Sequence, residues 1–189
     1  NVQCKGADFK DATLIEADCA GADFKDATLV NANCTGTCFT KSRFINVQCA
    51  GANFAQSMFF DANCAYSDFT NANFIYAKCE LADFTKTTLV NANCTGANFK
   101  NARLRYADCA GADFKDATLI EADCTGADFT QSTFIDAKCE RANFTKTTLV
   151  NANCTGANFT QSTFIDVDWT NSDLTNAKIF NADCVSVDF

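Results

Sequence analysis

The chain has 189 residues, 48 % of them apolar and 12 % aromatic, which excludes a disordered polymer and provides enough apolar side chains for a buried core. It has no His and no Pro, one Met and one Trp, yet 19 Phe and 13 Cys, a skew that points to a repeated unit. A net charge of −8 argues against direct nucleic-acid binding, and no run approaches the roughly 18 continuous apolar residues of a membrane span. The N-terminus shows no basic segment followed by an apolar run and a cleavage site, so the chain reads as soluble with any export signal absent or already removed. It does not open on Met, so Asn1 is not expected to be the natural start.

From the N-terminus, Cys4, Phe9, Leu14, Cys19, Phe24 and Leu29 open a series of large residues spaced by five, which runs to Phe189 without an insertion. All 38 positions of the series are Cys, Phe, Leu, Ile or Trp. Two residues before each stands Ala in 25 cases and Ser, Thr or Val in the other 13, and neither position ever carries a charge. A period of five is neither the 3.6 of a helix nor the alternation of an open strand. It describes a short extended piece that turns a corner every five residues. With one large and one small residue pointing inward, four such sides close a square coil of 20 residues.

The eight glycines, from Gly6 to Gly156, all lie two residues after the large one, and Asn31, Asn46, Asn91 and Asn151 hold the same place elsewhere. Gly, Asn and Asp tolerate the positive φ that a type II turn needs at its third residue. The lack of Pro fits stacked coils whose backbone N–H groups are all engaged.

The alternation of Ala, Asp or Asn, Phe or Leu and two variable residues resembles the pentapeptide-repeat family, over the whole of residues 1–189. The resemblance implies an all-β fold, a right-handed quadrilateral β-helix, as a single domain of about nine coils. At a coil spacing of roughly 4.8 Å it would form a rod about 45 Å long. A period of 15 is superimposed, as in Gly6–Ala20 (GADFKDATLIEADCA) against Gly111–Thr125 (GADFKDATLIEADCT). Duplication proceeds in threes while the coil needs four, so each residue class precesses around the rod and returns to the same side after 60 residues.

Twelve of the cysteines, Cys4 to Cys184, take the large inward position at multiples of 15, with Trp169 in the slot where another would fall; Cys38 alone should point outward. Successive Cys on one side would lie roughly 14 Å apart, beyond disulfide reach, while pairs between neighbouring sides stay open, and short spacings such as CxxC are missing. They read as small apolar core residues, with no metal or cofactor expected, and so many free thiols favour a reducing, cytoplasmic setting over an exported mature form. Without His the usual general base is missing, and most Ser replace Ala at the inward position (Ser42, Ser57, Ser67, Ser132, Ser162, Ser172). Carboxylates on a convex rod have no pocket to shift them, so no catalytic residue is assigned and the chain is not expected to be an enzyme.

Assigning pentapeptides to sides by counting in fours places the charge. The side centred on Phe9, Leu29 and Cys49 carries Asp8, Asp11, Asp68, Asp108, Asp128, Asp168 and Asp188 against Lys10, a net of −6. Its neighbour, centred on Leu14, Cys34 and Phe54, carries Glu16, Asp113, Asp116, Asp136 and Asp173 against Lys115, a net of −4. The other two sides are +1 each. Such a band would attract a basic groove on a protein partner; it would equally keep a β rod soluble. Within the resembled family, quinolone-resistance members mimic duplex DNA and bind DNA gyrase, although this chain lacks the register-breaking loop and terminal helix of that pattern. Tyr66, Tyr76 and Tyr106 at corners are candidate aromatic anchors. Phe60, Phe180, Ile15, Val30, Ile75 and Val90 are expected to be exposed but scattered, reflecting strand propensity. Open coil edges at Asn1 and Phe189 call for flanking segments or end-to-end self-association. The reading is therefore a non-catalytic structural or protein-interaction solenoid with an unknown protein partner, the alternative being a DNA-mimicking inhibitor or protector of gyrase or topoisomerase.

Overall fold

The computed structural model describes residues 2–188. Parallel bridges join each residue that precedes a large one to the residue 20 further on, from Gln3↔Asp23 through Asn158↔Lys178, and four pentapeptides therefore make one coil. Two runs are long enough to count as strands, β1 (Thr163–Asp168) and β2 (Asp183–Asp188), and they pair in parallel with the same step of 20. We name the four sides by their first large residue: the Cys4, Phe9, Leu14 and Cys19 sides, in chain order.

Corners form where the sequence allows a left-handed backbone. Every fifth residue from Gly6 to Ser186 has φ between +53° and +70°, on Asn, Asp and Gly but also on Tyr66, Leu81 and Arg141. The third-residue position of a type II turn is thus occupied throughout, and a turn bond such as Ala127 N–H to Cys124 O (3.0 Å) closes most corners, whereas Val47 N–H donates instead to the Ser67 hydroxyl of the next coil (2.9 Å).

The unit around Phe129 shows where the backbone donors go. Ala127 N–H closes the turn; Asp128 N–H reaches Ala107 O of the preceding coil at 2.9 Å; Phe129 N–H reaches Thr148 O of the following coil at 2.7 Å. Gln131 N–H reaches Val150 O at 2.8 Å, and Thr130 N–H, which no coil serves, donates to the Asp128 side chain at 2.8 Å. All five donors are engaged, and a Pro at any of them would remove a bond.

Between the terminal coils the inward residues are buried, with Phe24, Phe54, Phe99 and Phe129 at 0–1 % exposure. Ser and Thr enter the small slot because their hydroxyls find a turn carbonyl, either three residues back, as Ser42 to Phe39 O (2.6 Å), Ser132 to Phe129 O (2.6 Å) and Thr87 to Phe84 O (2.8 Å), or in the preceding coil, as Thr37 to Leu14 O (2.5 Å) and Ser162 to Cys139 O (2.6 Å). Phe residues spaced by 15 meet edge to face from Phe9–Phe24 (5.7 Å) through Phe99–Phe114 (5.8 Å), so an aromatic spiral runs through the core. Trp169 replaces Cys in its slot of the Cys series, between Cys154 and Cys184, as a buried ring 4.8 Å from Phe164.

Two expectations need correcting. Cys184 holds an inward slot yet is exposed, because no described coil lies beyond it to cover the thiol. Val30, Ile75 and Val90 are half-buried between their neighbours in adjacent coils, whereas Ile15, Phe60 and Phe180 are exposed as expected. Burial, then a neighbouring thiol, pushes Cys34 up to about 12, and burial raises the thiols of Cys64, Cys109 and Cys139 as well. A thiol reagent at neutral pH should therefore consume the exposed Cys184 and the half-buried Cys38 and Cys19 first, and the ten buried thiols only after denaturation. Native-state reaction of the buried set at similar rates would contradict their place in the core.

Candidate interaction surface

On the Phe9 side the residues that precede the large ones form one outward ladder, Asp68↔Thr88↔Asp108↔Asp128↔Thr148↔Asp168, with Asp8 toward one end and Asp188 at the other, facing Asp168 across β1 and β2. Their position has a local cause. Every Asp or Asn there between Asp8 and Asp173 accepts the N–H two residues on, as in Lys10 N–H to Asp8 (2.9 Å), Ala110 to Asp108 (3.2 Å) and Thr170 to Asp168 (2.9 Å). At several sites where Thr follows, its hydroxyl donates to the same oxygen, as Thr70 to Asp68 at 2.6 Å and Thr130 to Asp128 at 2.7 Å. One oxygen is held by the backbone, and the carboxylates stand in a fixed row. The Thr170 hydroxyl, then its N–H, lowers the pKa of Asp168.

The Leu14 side repeats the device with Asp113 and Asp173, each bonded from the coil before by a Thr hydroxyl, Thr95 and Thr155, at 3.3 Å. Asp173 is also lowered, mainly by its bonds from Thr175. Asp116 and Asp136 stand one coil apart on the corner after this side, and Asp11 on the corner before it, where Asn31 Nδ2 donates to Asp11 at 3.2 Å. A row of asparagines, Asn33, Asn53, Asn73 and Asn93, fills the middle of the side; Asn73 Nδ2 donates to Asn53 Oδ1 at 3.1 Å.

The cations lie elsewhere. The four ion pairs among the described residues are Arg43–Asp23 (2.7 Å), Arg103–Asp83 (3.9 Å) and Arg105–Asp123 (3.4 Å) on the Cys4 side and Arg141–Glu121 (2.7 Å) on the Cys19 side. Those two sides neutralise themselves, whereas the Phe9 and Leu14 sides hold only Lys10 and Lys115 against their acids. Among the described residues no cleft opens in this surface, and no three potential metal-ligating side chains converge.

The three tyrosines do not form one patch. Tyr66 and Tyr106 share the corner between the Cys4 and Phe9 sides, two coils apart, with Lys86 Nζ 5.5 Å from the Tyr66 ring centre. Tyr76 is on the corner between the Leu14 and Cys19 sides. Tyr106 leans over the next coil, where a Cβ on Gly126 would meet its ring at 2.6 Å, so that glycine serves both its φ of +69° and the ring above it.

The Asp-to-N–H bond escaped sequence reasoning, which credited Asp to corner conformation. Its signal was present in the triplets Asn-Cys-Thr, Asp-Phe-Thr and Asp-Cys-Thr, where acceptor and hydroxyl recur two residues apart. Asp128→Asn keeps that acceptor and should change stability by no more than about 0.5 kcal/mol, whereas Asp128→Ala should cost about 1 kcal/mol. Urea unfolding of the two variants checks the difference, and equal losses would mean that the bond contributes nothing.

The family model for pentapeptide repeats matches in overlapping segments that cover 7–74 and 77–189. No curated protein is significantly similar in sequence. Among solved structures, HetL from the cyanobacterium Nostoc, a pentapeptide repeat protein involved in heterocyst differentiation regulation, is 22 % identical with a TM-score of 0.52, over 96 % of this chain and 86 % of HetL. QnrB1, a plasmid-mediated fluoroquinolone resistance protein, is 18 % identical with a TM-score of 0.55, over 97 % of this chain and 84 % of that one. The four-sided coil is accordingly a right-handed quadrilateral β-helix, and the chain belongs to the pentapeptide-repeat family.

Proposed function

We propose that this solenoid is a non-catalytic interaction rod that presents its Phe9 and Leu14 sides to a basic protein surface. The observation that carries the reading is the row of backbone-held carboxylates with only Lys10 and Lys115 beside them, set against two sides whose acids and bases nearly balance and which hold the four ion pairs among the described residues. Absence of His and a convex surface argue against acid–base catalysis. The buried free thiols fit a reducing compartment.

A second reading, DNA mimicry at a type II topoisomerase, is favoured by the length of the acidic ladder and by the quinolone-resistance members that the repeat resembles. Magnitude ranks it second. Duplex DNA carries one charge per ~1.7 Å, whereas net charges of −6 and −4 along a rod of about 45 Å amount to one per ~4–5 Å. The rod offers a weaker field than the duplex it would replace.

Both readings meet in one set of measurements with the Asp108→Asn/Asp128→Asn/Asp168→Asn variant, which keeps the backbone acceptors. The wild-type rod should bind an immobilised Lys/Arg-rich peptide with an affinity that falls with salt, and the triple variant should bind at least ~tenfold more weakly. Equal binding by both would refute the acidic surface. Salt-sensitive inhibition of gyrase supercoiling or of topoisomerase IV decatenation, lost in the triple variant, would promote the second reading; peptide binding without any effect on either enzyme would eliminate it.

A further inference from the structure

Both outward Phe residues of the chain, Phe60 and Phe180, lie on the Cys19 side, exposed to 42 % and 69 %. So do both apolar residues found directly before a large one, Cys38 and Met58, and they are bridged to each other in adjacent coils. Leu81 (46 % exposed) and Tyr76 (62 %) stand at the two corners that border this side in the next coil.

Cys38, Met58, Tyr76 and Leu81 depart from the 15-residue repeat, whereas Phe60 and Phe180 are the largest residues in a slot that elsewhere is mostly Ile or Val. Every other counterpart of Cys38 is Asp or Asn, and those from Asp8 to Asp173 take the N–H two residues on; Cys38 gives that acceptor up, its thiol lying 3.5 Å from Thr40 Oγ1. Leu81 accepts a φ of +62° where most counterparts are Gly. Both choices go against the local preference of the repeat. Exposed and half-buried apolar residues gathered on one side in this way mark an interface.

We propose that the Cys19 side is covered by a second copy of this chain, lying parallel and related by a two-fold axis along the rod. Charge complementarity selects that occupant. A two-fold axis of this kind sets the outward residue before each large one opposite the outward residue after it in the same coil of the other copy. Met58 then meets Phe60, Lys78 meets Glu80, Lys138 meets Glu140, and at the corners Tyr76 meets Leu81 and Asp136 meets Arg141, against one like-charged corner pair, Asp116 and Glu121, whose Glu121 is held by Arg141 of its own chain. An antiparallel arrangement centred on Met58 would place Lys78 on Cys38 and Glu80 on Thr40, and would set Asp61 against itself.

The other sides do not pair in this way. The Phe9 and Leu14 sides repel their own copies at −6 and −4, and on the Cys4 side Arg103 would meet Arg105. Their acids would point away from the contact or flank it, since the Phe9 side is opposite the Cys19 side.

The contact is narrow. Rows about 4.8 Å apart and about 10 Å wide give a footprint on the order of 400 Å² per copy, about half that of a standard interface, so association belongs at hundreds of micromolar and not at nanomolar concentrations.

The test is sedimentation equilibrium under reducing conditions, from about 10 µM to about 1 mM, on the wild type, Glu80→Lys, Phe60→Asp and the charge exchange Lys78→Glu/Glu80→Lys, with circular dichroism to verify the fold. Wild type should pass from monomer to dimer; Glu80→Lys and Phe60→Asp should each weaken association ~tenfold or more; the exchange should restore it relative to Glu80→Lys. A monomer across the range overturns the proposal. So does an association constant unchanged in the single variants, which would locate self-association at another surface such as a rod end.

Discussion

Every pentapeptide has five backbone N–H groups, and in this coil four are spoken for by geometry: one by the turn, one by the coil before and two by the coil after. The fifth, on the residue after the large one, points at no carbonyl. Where Asp or Asn precedes the large residue, its side chain takes that donor, and an unmade bond is avoided with a residue that also faces water. Much of the acidity of the Phe9 side follows from this bond. Asp and Asn satisfy it equally, however, so the backbone requires an acceptor and leaves its charge free. The Leu14 side uses Asn33, Asn53, Asn73 and Asn93 where the Phe9 side uses Asp68, Asp108, Asp128 and Asp168. The contrast between two neighbouring sides with the same backbone is therefore a property of the surface.

The mismatch between a duplication unit of 15 and a coil of 20 shapes the core and the surface together. Inside, Cys, Phe and Leu or Phe alternate along each side, so the Phe residues meet diagonally, as Phe69–Phe84 (5.8 Å) and Phe84–Phe99 (5.5 Å) do, and one above another where two Phe follow in a column, as Phe54–Phe74 (5.2 Å) and Phe114–Phe134 (5.2 Å) do. Small thiols beside large rings let a narrow interior fill without voids. Outside, the same mismatch spreads any residue class over all four sides. A surface confined to one side must be made by departures from the repeat, and Cys38, Met58 and Leu81 are departures that converge beside Phe60.

Fold was legible because its signal is periodic and redundant. The inward pair, the corner with positive φ and the step of 20 each follow from residue types that physics restricts, and the structure has all three. Side assignments for Asp8, Asp108 and Tyr106 follow from counting alone. The details that escaped depend on neighbours one coil away. Val30 and Val90 lose exposure to flanking side chains, Tyr106 is laid over Gly126 by the stack, and Cys184 is uncovered because no described coil follows it. Counting places a residue on a side but does not describe what its neighbour 20 residues away does to it. The Cys19 patch was missed for a related reason: read along the chain, Phe60 and Phe180 are far apart and scattered, and only the coil register puts them in one column.

The two surfaces are complementary in arrangement. Long charged side chains and self-neutralising ion pairs occupy the Cys4 side, the apolar departures occupy the Cys19 side, and the acids occupy the Phe9 side opposite it with the Leu14 side adjoining. Pairing through the Cys19 sides would leave both Phe9 ladders facing outward in opposite directions, so a dimer would offer two acidic rows too far apart to serve one groove. Each copy would engage its own basic partner, and joining two such sites raises the effective concentration of the second once the first is filled. A weak side-by-side contact is sufficient for that purpose, because avidity depends on keeping two rods together for the lifetime of the partner complex and not on a permanent dimer.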